Sequence, residues 1–225
     1  MKPNKHIIIF SHGFGVGKDD RGLFTDIAAD LPGIETVMFD YNEINEVDNT
    51  MTVCSFTKQV DIFNDVLHRT KESNPGARID VICHSQGSVV VAMADPVGID
   101  KIILTAPPTN LNLAKIVSHF RSRPDSKIDM DGISRLARAD GSVTIIPAEY
   151  WKERKDIRPI ELYNSLSKRT ELIIINANQD HILDGVDFDG LDKTIKVVDI
   201  DGDHNFKGES RKILIDYIKK MLVLV

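Results

Sequence analysis

Cysteine is scarce in this 225-residue chain, which holds Cys54 and Cys83 and no other. Two thiols build neither a disulfide framework nor a four-ligand zinc site. The expected state is a pair of reduced thiols in a cytoplasmic protein. Aromatic residues are sparse at 6%, with one tryptophan. Long apolar runs are missing. Met1 to His6 leads straight into Ile7-Ile8-Ile9-Phe10, too short for a signal-peptide core or a membrane span, and Met221 to Val225 is no longer. A basic excess is missing too: 28 Lys and Arg face 34 Asp and Glu, for a net charge of −6. No molecule-wide field for nucleic acid or an anionic membrane follows from that balance. The 14 glycines and 9 prolines are too few for collagen-like or low-complexity sequence, and no internal repeat is visible.

What is present is ordinary globular material, 42% hydrophobic and 28% charged. The length fits one large domain with a core that needs no disulfide or metal. Short β-branched runs alternate with amphipathic stretches. The expected strands are Ile7–Phe10, Thr36–Asp40, Ile79–Cys83, Lys101–Thr105, Glu171–Asn176 and Ile195–Ile200. Several are apolar throughout, as strands covered on both faces must be. Helical spacing appears at Leu23–Leu31 before Pro32-Gly33, at Phe56–Thr70 before Asn74-Pro75-Gly76, and at Arg211–Leu222. This alternation predicts an α/β fold with a mostly parallel sheet of about six strands flanked by helices. The stretch from about 110 to 168 breaks the rhythm, and Val143–Ile146 is its nearest strand candidate. A structureless loop of that length is out of place in a compact domain, so a mostly helical lid insertion is expected there. Its 11 Lys and Arg against 8 Asp and Glu give it a local charge of +3.

The sharpest signal is Ile79-Asp80-Val81-Ile82-Cys83-His84-Ser85-Gln86-Gly87-Ser88. A β-branched strand meets a serine between small residues and runs on into helical sequence, which fits a nucleophile elbow. The plain alternative is a surface serine at a strand-to-helix turn. A serine hydroxyl is a poor nucleophile near neutral pH and needs a base, which in turn needs an orienting acid. The sequence offers both, each just past an expected strand: Asp180 after Leu172–Asn176, and His204 after Ile195–Ile200. Open α/β sheets place their sites at such strand ends. Ser85 is therefore assigned as nucleophile, His204 as base and Asp180 as acid. His181 competes as base, but its place beside Asp180 disfavours the geometry. Asp184 and Asp187 compete as the acid. Asp201 and Asp203 shape the turn before His204. His6, His68 and His119 show no partner pattern.

A fourth element, Ser11-His12-Gly13-Phe14-Gly15-Val16-Gly17-Lys18, follows the first strand. Its glycines fit a nest of backbone N–H groups facing an anion. The spacing matches neither a Walker loop nor a dinucleotide fingerprint, because Asp19 follows Lys18 where Ser or Thr is needed. The better reading is an oxyanion hole built from the N–H groups of Phe14 and Gln86.

With these elements in place the sequence resembles the α/β-hydrolase superfamily. His12-Gly13-Phe14-Gly15, then Lys18-Asp19-Asp20 and Leu23-Phe24-Thr25-Asp26-Ile27-Ala28, is similar to small serine esterases of the cinnamoyl/feruloyl-esterase type. The resemblance implies a Ser85–Asp180–His204 triad, a hole at Phe14 and Gln86, a sheet lacking the family's first two strands, and a cap at the insertion. Cys83 replaces the family's elbow glycine. Asn42-Glu43-Ile44-Asn45-Glu46-Val47 replaces a glycine-rich stretch near the acyl pocket. The expected activity is cofactor-free, metal-free hydrolysis of a small carboxylic ester. Acyl transfer or thioester cleavage are alternatives on the same scaffold, and a non-catalytic binding module is the rival from another class. Phe120, Tyr150 and Trp151 in the insertion are candidates for an apolar acyl pocket. The natural substrate and the oligomeric state are not legible.

Overall fold

A strand that is apolar on both sides must be covered on both sides, and the computed structural model, which describes residues 5–183 and 185–222, meets that demand. The chain runs β1 (His6–Ser11), α1 (Leu23–Ala29), β2 (Glu35–Met38), β3 (Glu43–Asn45), β4 (Thr50–Thr52), α2 (Phe56–Ser73), β5 (Arg78–His84), α3 (Gln86–Ala94) and β6 (Lys101–Thr105). It continues with α4 (Leu113–Arg121), β7 (Ser134–Ala137), β8 (Val143–Ile146), α5 (Ala148–Arg154), α6 (Pro159–Leu166), β9 (Glu171–Ala177), β10 (Lys196–Ile200) and α7 (Glu209–Leu222). Six strands form one sheet in the order β10-β9-β6-β5-β1-β2, with every pairing parallel.

Side chains alternate across this sheet with period two. Ile7 and Ile9 of β1, with Val81 of β5 and Ile102 and Leu104 of β6, face α2, α3 and α6. Ile8 and Phe10, with Ile82 and Ile103, face α1 and α7 through Phe24, Ile27, Leu214 and Ile218. All of these side chains are buried. Truncating such a core isoleucine to alanine costs about 2–5 kcal/mol. The longest of these helices, α2, starts where Ser55 Oγ accepts a hydrogen bond from the Lys58 N–H at 3.3 Å, and Asn74 stops it ahead of Pro75-Gly76.

The insertion differs from its expectation. It holds three short helices, α4, α5 and α6, but also a hairpin of β7 and β8. Val143–Ile146 is a strand, and it pairs in parallel with β4 through Met51 opposite Thr144. With β3 this makes a second sheet, β3-β4-β8-β7. Strands of three or four residues carry no usable periodicity, and their partner lies in a distant part of the chain. Among the described residues no helix is long and apolar enough to cross a membrane, and no cluster of His, Cys, Asp and Glu could hold a metal ion.

Candidate active site

Parallel strands deliver their C-terminal ends to one edge of the sheet, and the predicted site residues gather there. Ser85 sits between β5 and α3 with φ 51° and ψ −125°, a left-handed conformation rare for a side chain with a Cβ. The turn is held by packing that only glycine permits. A Cβ on Gly87 would lie 2.2 Å from the Ser11 carbonyl oxygen and 2.7 Å from that of His12. A Cβ on Gly13 would lie 3.2 Å from the Ser85 Cβ, so the glycine loop after β1 passes directly over the serine. Cys83, two residues before Ser85, is fully buried, and burial pushes its thiol well above the ordinary range. Its side chain fits beneath the turn in the core.

Three of the predicted residues form one hydrogen-bonded chain. The Ser85 hydroxyl donates to His204 Nε2 at 3.0 Å, and His204 Nδ1 donates to Asp180 Oδ2 at 2.5 Å. The other Asp180 oxygen accepts the backbone N–H groups of Ile182 and Leu183 at 2.8 and 2.9 Å, which fixes the carboxylate. Burial pushes the His204 imidazole below its ordinary value, the positive charge of His84 adds to that, and Asp180 opposes both. Burial alone would raise Asp180, but its hydrogen bond to His204 and its backbone donors carry it below the usual carboxylate range. The resting state is therefore a neutral imidazole between a hydroxyl and a carboxylate.

The competitors stand elsewhere. His181 is exposed at the cavity edge, and no hydrogen bond joins it to Ser85. Asp187 caps its own loop by accepting the Asp189 N–H. Asp184 lies outside the described residues. Asp201 accepts from Gln179 Nε2, and Asp203 accepts the Lys207 N–H, so both shape the loop that carries His204. His6 does have a partner, the buried Asp80 at 2.8 Å, near the start of the strands and away from the site. His68 pairs with Glu72 on exposed α2, and His119 accepts from Arg123.

The N–H groups of Phe14 and Gln86 have no acceptor among the described residues, whereas that of Gly13 is taken by Asp20 Oδ2 at 2.8 Å. Gln86 opens α3, so its N–H is free by helix geometry. Phe14 and Gln86 both line a cavity of about 480 Å3 that Ser85 and His204 line as well. That volume suits a small molecule. Phe14 and Phe120 line it as a stacked pair, with ring centroids 5.7 Å apart. Tyr150 and Trp151 do not, contrary to expectation. Both are fully buried: Tyr150 donates to Gln86 Oε1 at 2.6 Å, and Trp151 donates to Ser134 Oγ at 3.1 Å. They pack behind the cavity wall because each polar tip finds its partner inside the protein.

Sequence reasoning missed a second pair. His84 Nδ1 donates to Asp20 Oδ2 at 2.8 Å, and His84 Nε2 donates to the His204 carbonyl at 2.9 Å. Both partners are pure acceptors, so both ring nitrogens carry protons and His84 is a buried cation. Burial opposes that charge, but Asp20 outweighs it and raises His84 above its ordinary value. Burial likewise opposes ionised Asp20, yet His84 and the Gly13 N–H hold it down at about 2. One ion pair thus ties together the glycine loop, the elbow and the His204 loop. The signal was a histidine directly before Ser85 and an acid seven residues after Gly13, both inside the quoted motifs.

No protein-family model matches the sequence, and no curated protein matches it. Solved structures do match. Est1E from Butyrivibrio proteoclasticus superposes with a TM-score of 0.70 at 18% identity, covering 98% of this chain and 88% of that chain. Its form with ferulic acid bound gives 0.72 at 20%, covering 99% and 90%. The esterase domain of a Rhodothermus marinus protein gives 0.66 at 15%, covering 98% and 88%. The α/β hydrolase GrgF from Penicillium sp. sh18 gives 0.66 at 16%, covering 97% and 91%. At such identities the likeness is one of fold, and the chain has the α/β-hydrolase fold.

Proposed function

We propose that the protein is a serine hydrolase that cleaves a small carboxylic ester through an acyl-enzyme. The observation that carries this reading is the Asp180–His204–Ser85 chain, with Ser85 held at φ 51° beneath the glycine loop. His204 Nε2 takes the hydroxyl proton as Ser85 Oγ attacks the ester carbonyl. Asp180 holds the imidazole with Nδ1–H toward itself and stabilises the imidazolium that forms. Negative charge developing on the carbonyl oxygen meets the N–H groups of Phe14 and Gln86, each worth about 3–4 kcal/mol in a pre-organised site. His204 then returns the proton to the leaving alcohol. In the second half, a water attacks the acyl group with His204 again as base. The reaction needs no metal or organic cofactor. The likeness to Est1E and to other proteins named as esterases supports an ester as substrate.

The test is hydrolysis of 4-nitrophenyl butyrate by the wild type and by Ser85→Ala, His204→Gln and Asp180→Asn. Loss of turnover by about 10³-fold or more in each variant is expected, since the three act as one unit. Wild-type turnover that survives Ser85→Ala would overturn the reading.

A further inference from the structure

The cavity that holds Ser85 is bordered by four arginines: Arg21, Arg123, Arg138 and Arg154. Among the described residues none of the four forms an ion pair with a carboxylate. Asp20, the acid in the cavity wall, is committed to His84 and the Gly13 N–H through Oδ2, and its Oδ1 is buried with no hydrogen-bond partner and no ion pair to any of the four. Asp140, close to Arg138 in sequence, is exposed and bound to Ser142, and its charge acts on Arg138 less than burial and the neighbouring arginines do.

Neutral groups hold these arginines instead. Arg138 Nε donates to Thr144 Oγ1 at 2.7 Å and Nη2 donates to the Gly15 carbonyl at 3.2 Å, with the guanidinium 5.9 Å from the centre of the Phe14 ring. Arg123 lies 5.5 Å from the centre of the Phe120 ring and donates to His119 Nε2. Phe14 and Phe120 are stacked on one another, so two guanidinium groups flank one aromatic pair in one wall. The two cations also repel: Arg138 is pushed down to about 10, by burial first and then by Arg123 and Arg21. Arg154 is 7% exposed, and its Nε is buried with no hydrogen-bond partner. Its Nη1 donates to Tyr150 Oη, which donates onward to Gln86 beside the elbow.

Arg21 is exposed and Arg123 part-buried, but withdrawing the guanidinium groups of Arg138 and Arg154 from water without an ion-pair partner is costly unless an anion answers them. Arginine is also the side chain best matched to carboxylate and phosphate oxygens. We infer that the Ser85 cavity takes an ester bearing a second, negatively charged group, a carboxylate or a phosphate, which docks on Arg123 and Arg138 while the ester carbonyl meets Ser85. This deepens the hydrolase reading and rests on it for the role of Ser85.

The test compares two 4-nitrophenyl esters of equal acyl length, the adipate monoester with its free carboxylate and the neutral hexanoate. The readout is the ratio of their kcat/KM values in the wild type, Arg123→Gln, Arg138→Gln, the double variant and Arg138→Lys. Expected is a wild-type ratio of about tenfold or more in favour of the adipate, the size of one charge-assisted contact. It should fall toward one in the double variant, survive largely in Arg138→Lys, and weaken in 0.5 M salt. In parallel, calorimetry on Ser85→Ala measures adipate, phenyl phosphate and inorganic phosphate binding. Tighter adipate binding assigns a carboxylate, and tighter binding of either phosphate probe assigns a phosphate, provided the double variant loses it. Ser85-dependent turnover with a ratio near one, unmoved by the arginine variants, overturns the anion site and leaves the hydrolase intact. Arginine-dependent binding without turnover of either ester supports the site and overturns the hydrolase. Neither turnover nor binding overturns both.

Discussion

Replacing Asp20 by asparagine removes one charge from the buried pair and leaves the backbone alone, because Asp20 sits at φ 46°, where asparagine is also at ease. The carboxylate has lost nearly all contact with water and accepts two hydrogen bonds of 2.8 Å, from His84 Nδ1 and the Gly13 N–H. Its fall from 3.8 to about 2 corresponds to about 2 kcal/mol in favour of the ionised form. The variant also strands a buried imidazolium, and breaking a buried pair from one side costs about 3–5 kcal/mol. A loss of about 3 kcal/mol at pH 7 is expected, or about 6–12 °C in Tm for a chain of this size. Because the folded-state value is depressed, the stability from ionised Asp20 is present above pH 3.8 and disappears as pH falls toward 2. The gap between wild type and variant should therefore narrow in acid. Urea melts at pH 7 and at the lowest pH where both proteins unfold cooperatively measure it. A gap below about 1 kcal/mol at pH 7, or one that stays constant in acid, refutes the buried ion pair.

Other consequences follow from the same contacts. Gly87→Ala forces a Cβ against the Ser11 and His12 carbonyls, so urea melts should reveal a loss of about 1–3 kcal/mol, with 4-nitrophenyl butyrate turnover down by at least about 10²-fold; wild-type behaviour on both counts would contradict the close approach. His204 is held below 6.5 and works as the neutral base, so the acid limb of kcat/KM should lie below pH 6.5. A limb at or above pH 7 in a pH 4–8 profile would rule that out. Tyr150→Phe removes the hydroxyl between Arg154 and Gln86, which should cost about 1–3 kcal/mol in a urea melt; a rise in KM without any loss of stability would mean that Tyr150 faces substrate after all.

Legibility from sequence tracked how local each signal was. β1, β5, β6 and β9 were readable because a parallel strand covered on both faces is apolar along most of its length, and each was found within a residue or two. The order of Ser85, Asp180 and His204 was readable because strand-end turns carry their own residue chemistry. The second sheet was not: β4 and β8 are short, half-buried, and stabilised by each other although they lie far apart in the sequence. The roles of Tyr150 and Trp151 were hidden for a similar reason. Whether an aromatic faces a cavity or a core depends on where Gln86 and Ser134 lie in space. His84 and Asp20 stood inside recognised motifs, but their pairing is a fact of three loops meeting.

The central claim is that Ser85 is the nucleophile, and a fluorophosphonate probe tests it most directly, because the probe phosphonylates an activated serine without requiring the natural substrate. Intact-mass and peptide analysis should find one adduct per chain, on Ser85, formed more slowly as pH falls below 6 and absent in Ser85→Ala. A wild-type protein that takes up no probe, or takes it up on another residue, would contradict the account.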